Sequence, residues 1–158
     1  MKNDSTSYLT FALGDEKFAI PVDLVQEVVE FGQVTKVPNA PSYMLGIINL
    51  RGRVLPLLDT KLKLGLSATT LSHKSRIMVL DLQLADDKNL QIGAMVDLAK
   101  EVVEITESEI QEAPEFEDLK TSAPIKGIVN KQGDITMIMD INRVFSTKEI
   151  TELNKSLN

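Results

Sequence analysis

The chain has no cysteine and no tryptophan, a single histidine, and aromatic residues at only 4% of its 158 positions. Without cysteine there is neither a disulfide framework nor a thiolate metal site, and a reducing compartment is the expected setting. One histidine cannot assemble a zinc site with nitrogen and sulfur ligands, nor does it come with a cysteine to activate. That residue, His73, lies in the polar stretch Leu71-Ser72-His73-Lys74 and reads as solvated. The scarcity of aromatic rings removes the platforms on which bases commonly stack. No apolar run reaches the roughly 18 residues of a membrane span. The opening MKNDSTS is polar, so no leader is expected and the reading is a cytosolic protein. No glycine-rich loop could cradle a phosphate, and Asp86-Asp87 lacks the regular oxygen-ligand spacing of a calcium loop. Positive charge is also short: 17 Lys and Arg against 23 Asp and Glu leave a net charge of −6, with no basic cluster. That balance argues against nucleic acid and against direct binding to an anionic membrane surface.

What is present is apolar alternation. At 43% hydrophobic residues the chain can build a core without staples. Leu9, Phe11 and Leu13 share one face of a strand, Gly14-Asp15 turns, and Phe18, Ile20 and Val22 resume the pattern, which predicts a hairpin. Asp23 is placed to cap a single helical turn over Leu24 to Gln26, after which Glu27 to Phe31 reads as a strand. A short strand is expected at Val34 to Val37. The stretch Gly46 to Asp59, GIINLRGRVLPLLD, then reads as two apolar strands around the turn Asn49-Leu50-Arg51-Gly52. Asp59 and Thr60 open a short helix that Gly65 stops. Ile77 to Leu84 and Leu90 to Val96 read as strands around a turn at Ala85 to Asn89. Ser146-x-x-Glu149, with Ile150, Leu153 and Leu157, predicts a C-terminal amphipathic helix over 146–158.

The sequence repeats itself. A shift of 74 residues lays Val22 to Glu30 over Val96 to Glu104 with seven of nine positions identical, and a shift of 81 lays Gly46 to Asp59 over Gly127 to Asp140. The difference falls in the polar stretch Glu112 to Pro124. Two copies of one β module, each about 60 to 75 residues and too small to be comfortable alone, pack into one body with a seam between them. The expected fold is all-β with short helices: two small barrels related by the repeat, plus a C-terminal helix.

The repeat also separates fold from function. Asn49 and Asn130, Gly52 and Gly133, Asp59 and Asp140, and Asp23 and Asp97 recur, and are assigned to turns and caps. Arg51 becomes Gln132 and Leu50 becomes Lys131, so the first turn is the special one. An arginine on a turn tip is either idle charge or the head of a contact, and an apolar neighbour favours the contact. Glu101, Glu104, Glu107, Glu109 and Glu112 read as a solvated acidic face. An enzyme using carboxylates such as Glu27 and Glu101 in the seam is the competing reading from another class; a deep polar pocket would distinguish it.

The strands Tyr8 to Gly14 and Phe18 to Glu30, the segment from Val34 to Asp59 with its Ile48-Asn49-Leu50-Arg51-Gly52 core, and the second copies at Gly93 to Ile105 and from Gly127 closely resemble the CheW-like domain family. The resemblance covers about residues 8 to 145, and it implies SH3-like barrels forming a non-catalytic adaptor without cofactor or metal. With it come boundaries within one domain over 1–158: a first subdomain at about 15–80, a second at about 81–145, and strand 8–13 pairing at their junction. The implied partners are the cytoplasmic tips of methyl-accepting chemoreceptors and the regulatory domain of the histidine kinase CheA. The implied location is the cytoplasm, with recruitment to membrane receptor arrays through those partners. A coupling role in a parallel chemosensory pathway, such as surface motility, fits the same residues. Matching by motif places Val25, Glu27, Leu50 and Arg51 on the receptor side, and Gly46, Gln111, Glu115 and Phe116 on the kinase side.

Overall fold

A computed structural model describes residues 5–83, 89–112 and 124–145. The first alternating stretch forms β1 (Ser5–Leu13) and β2 (Glu16–Pro21), paired in register from Leu9↔Ile20 to Leu13↔Glu16. A 3-10 turn (Val22–Leu24) leads into β3 (Val25–Glu30). β4 (Met44–Leu50) and β5 (Arg53–Asp59) form the expected hairpin, followed by α1 (Thr60–Lys63). Then come β6 (Arg76–Gln83), β7 (Asn89–Val96), β8 (Leu98–Thr106), a second 3-10 turn (Glu107–Glu109) and β9 (Ile110–Glu112). β10 (Ile125–Lys131), β11 (Asp134–Met139) and α2 (Ile141–Val144) complete the described chain.

The strands sort into two sheets, β3-β6-β7-β5-β4 and β8-β1-β2-β11-β10-β9. The repeat is visible in the register. Parallel pairing of Leu57 with Gly93 in the first sheet corresponds, under the shifts of 81 and 74, to that of Ile138 with Ala19 in the second. The expected boundaries at about 15–80 and 81–145 do not follow the sheets. β7 belongs with β3 to β6, and the whole hairpin β1–β2 belongs with β8 to β11. β2 supplies the parallel partner that β11 needs, just as β7 does for β5, so the chain closes its second barrel with its own N-terminus.

Apolar side chains gather in three clusters. The largest lies between the sheets and joins Leu9, Phe11, Leu13 and Ile20 to Met78, Leu80, Leu82, Ile92 and Val96, with Phe145 beside them. A second fills the first barrel with Ile48, Leu55, Leu57, Ile77, Val79 and Met95. The third holds Ile105, Val129 and Ile138 in the second barrel. β6 shows why its sequence is a continuous apolar run: Ile77 and Val79 point into their own barrel, while Met78, Leu80 and Leu82 point across to the other sheet. Both faces of that strand are buried, so alternation disappears.

Some local expectations need correction. Val34 to Val37 is no strand: Thr35 alone bridges to Ile47, through N–H···O contacts of 2.9 and 2.8 Å. Asp23 does not cap the first 3-10 turn but lies within it, exposed, behind Pro21 at the cap position. Its repeat counterpart Asp97 has a different job. Its Oδ2 accepts the Gly14 N–H at 2.6 Å from the β1–β2 turn and lies 3.5 Å from Lys61 Nζ in α1, tying the two barrels together. Asp97→Ala is therefore expected to cost about 1–2 kcal/mol and Asp23→Ala less than about 0.5 kcal/mol, read as urea midpoints at constant slope. The turn residues Ala85 to Lys88 and the tail 146–158 lie outside the described residues.

Candidate functional site

The β4–β5 turn has positive φ at both central residues, Arg51 (52°) and Gly52 (89°), the geometry that matches the twist of a two-residue hairpin. Asn49 Oδ1 accepts the Gly52 N–H at 2.9 Å. The second copy repeats every part of this: Gln132 at 54°, Gly133 at 89°, and Asn130 Oδ1 accepting the Gly133 N–H at 2.9 Å. The shared Asn and Gly therefore build the turn. Since glutamine occupies the same left-handed conformation, backbone geometry does not explain the choice of arginine at position 51.

What singles out Arg51 is where its side chain goes. It remains 67% exposed and its Nη2 pairs with Glu27 Oε2, whose side chain is 23% exposed. Glu27 stands on β3 and Arg51 at the end of β4, strands at opposite edges of the sheet. The pair thus closes the curled first barrel and displays a guanidinium at its rim. Arg53 joins from the start of β5, with Nη2 4.0 Å from the same Glu27 oxygen. Its Nη1 donates to Gln91 Oε1 and lies 3.5 Å from Gln26 Oε1. Gln91 in turn donates through Nε2 to Gln26 Oε1 and, at 3.0 Å, to Asp81 Oδ1. Four strands and the turn converge here.

Of the residues expected on the receptor side, Glu27 and Arg51 are in contact. Leu50, the apolar neighbour of Arg51, is half-buried against the first barrel's apolar cluster. Val25 shares β3 with Glu27 but packs on the cluster between the sheets, because Gln26 bulges out of the β3–β6 register and turns the strand.

Of the residues expected on the kinase side, the two that are described, Gly46 and Gln111, lie in different sheets. Gly46 is buried at φ 150°, and a Cβ there would meet Thr35 O at 2.3 Å and Val34 Cγ1 at 2.7 Å. Its counterpart Gly127 is equally crowded, with Ile110 Cγ2 at 2.6 Å and Gln111 O at 2.8 Å. Both glycines follow a register shift in their hairpin and let another segment cross directly over it. Gly46 therefore has a packing reason of its own. Gln111 is exposed on β9, the edge strand over β10. Glu115 and Phe116 lie outside the described residues.

At the equivalent corner of the second barrel the chemistry is closed on itself. Lys17 Nζ and Asp134 Oδ2 are 2.7 Å apart, holding the Asp134 carboxyl below its ordinary pKa. Thr106 bonds Glu109 through its N–H at 2.8 Å and its hydroxyl at 3.0 Å, and Lys131 Nζ lies 3.4 Å away; these, led by the amide, lower the Glu109 pKa. Glu104 takes Ser5 and Ser7 hydroxyls, so the acidic run is partly engaged rather than merely solvated. Folded-state values below the unfolded ones mean that these two contacts contribute fully only above the unfolded carboxylate values and are lost as pH falls through the lowered ones. The β10–β11 turn is thus expected to loosen only below about pH 4, visible as loss of amide exchange protection around Lys131 to Asp134.

Among the described residues no group of three or more His, Asp or Glu side chains is placed to hold a metal, and His73 is exposed. Sequence reading missed Arg53, Gln91, Gln26 and Asp81. The signal was available: extending the repeat shifts pairs Arg53 with Asp134 and Gln91 with Lys17, both of which change character between the copies.

Residues 7–149 match the CheW-like domain. The chemotaxis protein CheW of Bacillus subtilis is 31% identical over 136 residues, spanning 86% of this chain and 84% of that one. Its namesake in Rhizobium meliloti is 28% identical over 149 residues, spanning 94% and 93%. The crystal structure of the scaffolding protein TtCheW from Thermoanaerobacter tengcongensis superposes with a TM-score of 0.77 at 28% identity, covering 90% of this chain and 93% of its own. With the doubled barrel, the match across nearly the whole chain and the scaffold among its structural neighbours, this protein belongs to the CheW-like domain family.

Proposed function

We propose that this chain is a non-catalytic coupling adaptor of chemotaxis that holds chemoreceptor cytoplasmic tips beside the regulatory domain of the histidine kinase CheA. The observation that carries the reading is the family match over residues 7–149 to relatives that are chemotaxis and scaffolding proteins. The first barrel supplies the receptor surface. Its rim presents Arg51 on a turn whose backbone is held by Asn49, and a guanidinium so placed suits carboxylates or helix-terminal carbonyls on a helical hairpin. The second barrel supplies the kinase side through the edge strand holding Gln111 and the segment that follows it, with Glu115 and Phe116. Gly46 acts on that contact indirectly, by keeping Thr35 in place. The protein works in the cytoplasm, where its partners recruit it to receptor arrays; no helix among the described residues is long and apolar enough to cross a membrane.

The enzyme reading loses its support at Glu27, which pairs with Arg51 instead of converging with Glu101. Chemical-shift mapping tests the adaptor reading. A receptor-tip hairpin is expected to perturb Glu27, Leu50, Arg51 and their neighbours, and the kinase regulatory domain a separate set that includes Gln111. Overlapping or absent perturbations would count against it.

A further inference from the structure

We propose that Arg53 is a second recognition group beside Arg51, and that together they form a two-guanidinium site for a carboxylate on the partner helix, with Gln91 as the residue that positions Arg53. The inference rests on the reading of this corner as the receptor surface and names its chemistry.

The ion pairing at the corner is incomplete: formal charges cancel among Arg51, Arg53, Glu27 and Asp81, but among the described residues Arg53 has no carboxylate at hydrogen-bond distance. Arg51 and Arg53 share one carboxylate, Glu27, and Arg53 stands 4.0 Å from it, beyond ordinary hydrogen-bond length. The other described partners of Arg53 are neutral amide oxygens, those of Gln91 and Gln26. Asp81 is not the carboxylate that Arg53 lacks, because its described bond goes to the Gln91 amide at 3.0 Å. Amide oxygens hold a guanidinium in position without neutralising it, and a planar fork of five N–H donors retains capacity for a bidentate carboxylate.

The second barrel is the control. At the positions of Arg53 and Gln91 it has Asp134 and Lys17, which satisfy each other at 2.7 Å, and at the position of Arg51 it has the neutral Gln132. One fold position thus carries a closed ion pair in one copy and an open cation on an amide brace in the other. Arg53 remains 42% exposed, so a partner can reach it. The brace is anchored at both ends. Gln91 accepts from Arg53 through Oε1 and donates through Nε2 to Gln26 and Asp81, which defines the orientation of its amide and so of the guanidinium.

The test measures binding of a receptor-tip helical hairpin and, separately, of the kinase regulatory domain. R53Q, which keeps a polar side chain and removes the charge, is expected to weaken tip binding at least tenfold while leaving kinase binding within twofold and the urea midpoint unchanged. Gln91→Met is expected to weaken tip binding about threefold alone and to add nothing to R53Q, since it acts through Arg53. A tip hairpin with its acidic residues changed to amides is expected to bind the parent chain and R53Q alike. R53Q binding the acidic tip within twofold of the parent, while R51E binds poorly, overturns the role of Arg53 and leaves the docking surface standing. If R51E also binds normally, the docking surface itself is misplaced.

Discussion

Gly46→Asp is expected to cost at least about 4 kcal/mol and to leave the first barrel largely unfolded at ambient temperature. Three effects add. A Cβ at this position would sit 2.3 Å from Thr35 O, and over-packing of a well-filled site costs about 1–3 kcal/mol or more. The backbone is at φ 150°, where an L side chain carries strain of about 1–3 kcal/mol. The new carboxylate is buried, a further penalty of several kcal/mol or a protonated acid in its stead. Thr35 could relieve the clash only by giving up its bridge to Ile47. Urea titration of Gly46→Asp and Gly46→Ala checks this, with the alanine variant showing the steric and backbone part alone. A stable Gly46→Asp protein with an intact transition and defective kinase binding would show instead a direct contact at this residue. Gly127→Asp is expected to cost less in the second barrel, because a Cβ there is crowded by Ile110 Cγ2 and Gln111 O but the backbone is not at positive φ, which makes it the internal control for the steric part.

Arg51→Glu is the opposite kind of change, small for the fold and large for binding. The side chain is 67% exposed, and surface ion pairs contribute only about 0–1 kcal/mol, so the melting temperature should fall by no more than a few degrees. For binding, the substitution replaces a donor fork with a carboxylate beside Glu27, so an acidic partner meets two negative charges where it had met a cation. Reversal at such an anchor is expected to weaken receptor-tip binding by roughly 2 kcal/mol or more. Glu27→Gln should weaken it less, because Arg51 then loses its intramolecular partner but keeps its charge. Titration of the tip hairpin against both variants at low and raised salt measures the difference. Equal affinity of Arg51→Glu and the parent chain would remove Arg51 from the binding surface.

These two variants fall at residues that the comparison of the two copies treats differently. The comparison of the two copies identified Arg51 as the odd residue of a repeated turn, and the structure gives it the contact with Glu27 across the barrel. The same comparison, applied to Gly46, pairs it with Gly127 and points to packing; the family resemblance drew attention to a contact instead. The half-burial of Leu50 was not legible, because a turn-flanking apolar residue can face either way, and only the curl of the sheet brings the barrel interior beneath it.

The sequence by itself determined what is local: the β1–β2 and β4–β5 hairpins, the Asn-x-x-Gly turns, the cap of α1 by Asp59, which accepts the Lys61 and Leu62 amides at 3.1 and 3.4 Å, and the doubling of the module. Each depends on contacts a few residues apart, which periodicity and turn chemistry encode directly. Tertiary structure alone decided that the N-terminal hairpin completes the second barrel, that Asp97 joins the barrels while Asp23 does not, and that Arg51, Arg53, Glu27 and Gln91 meet at one corner. Those contacts link positions tens of residues apart through sheet closure, and no local pattern records which distant strand lies alongside.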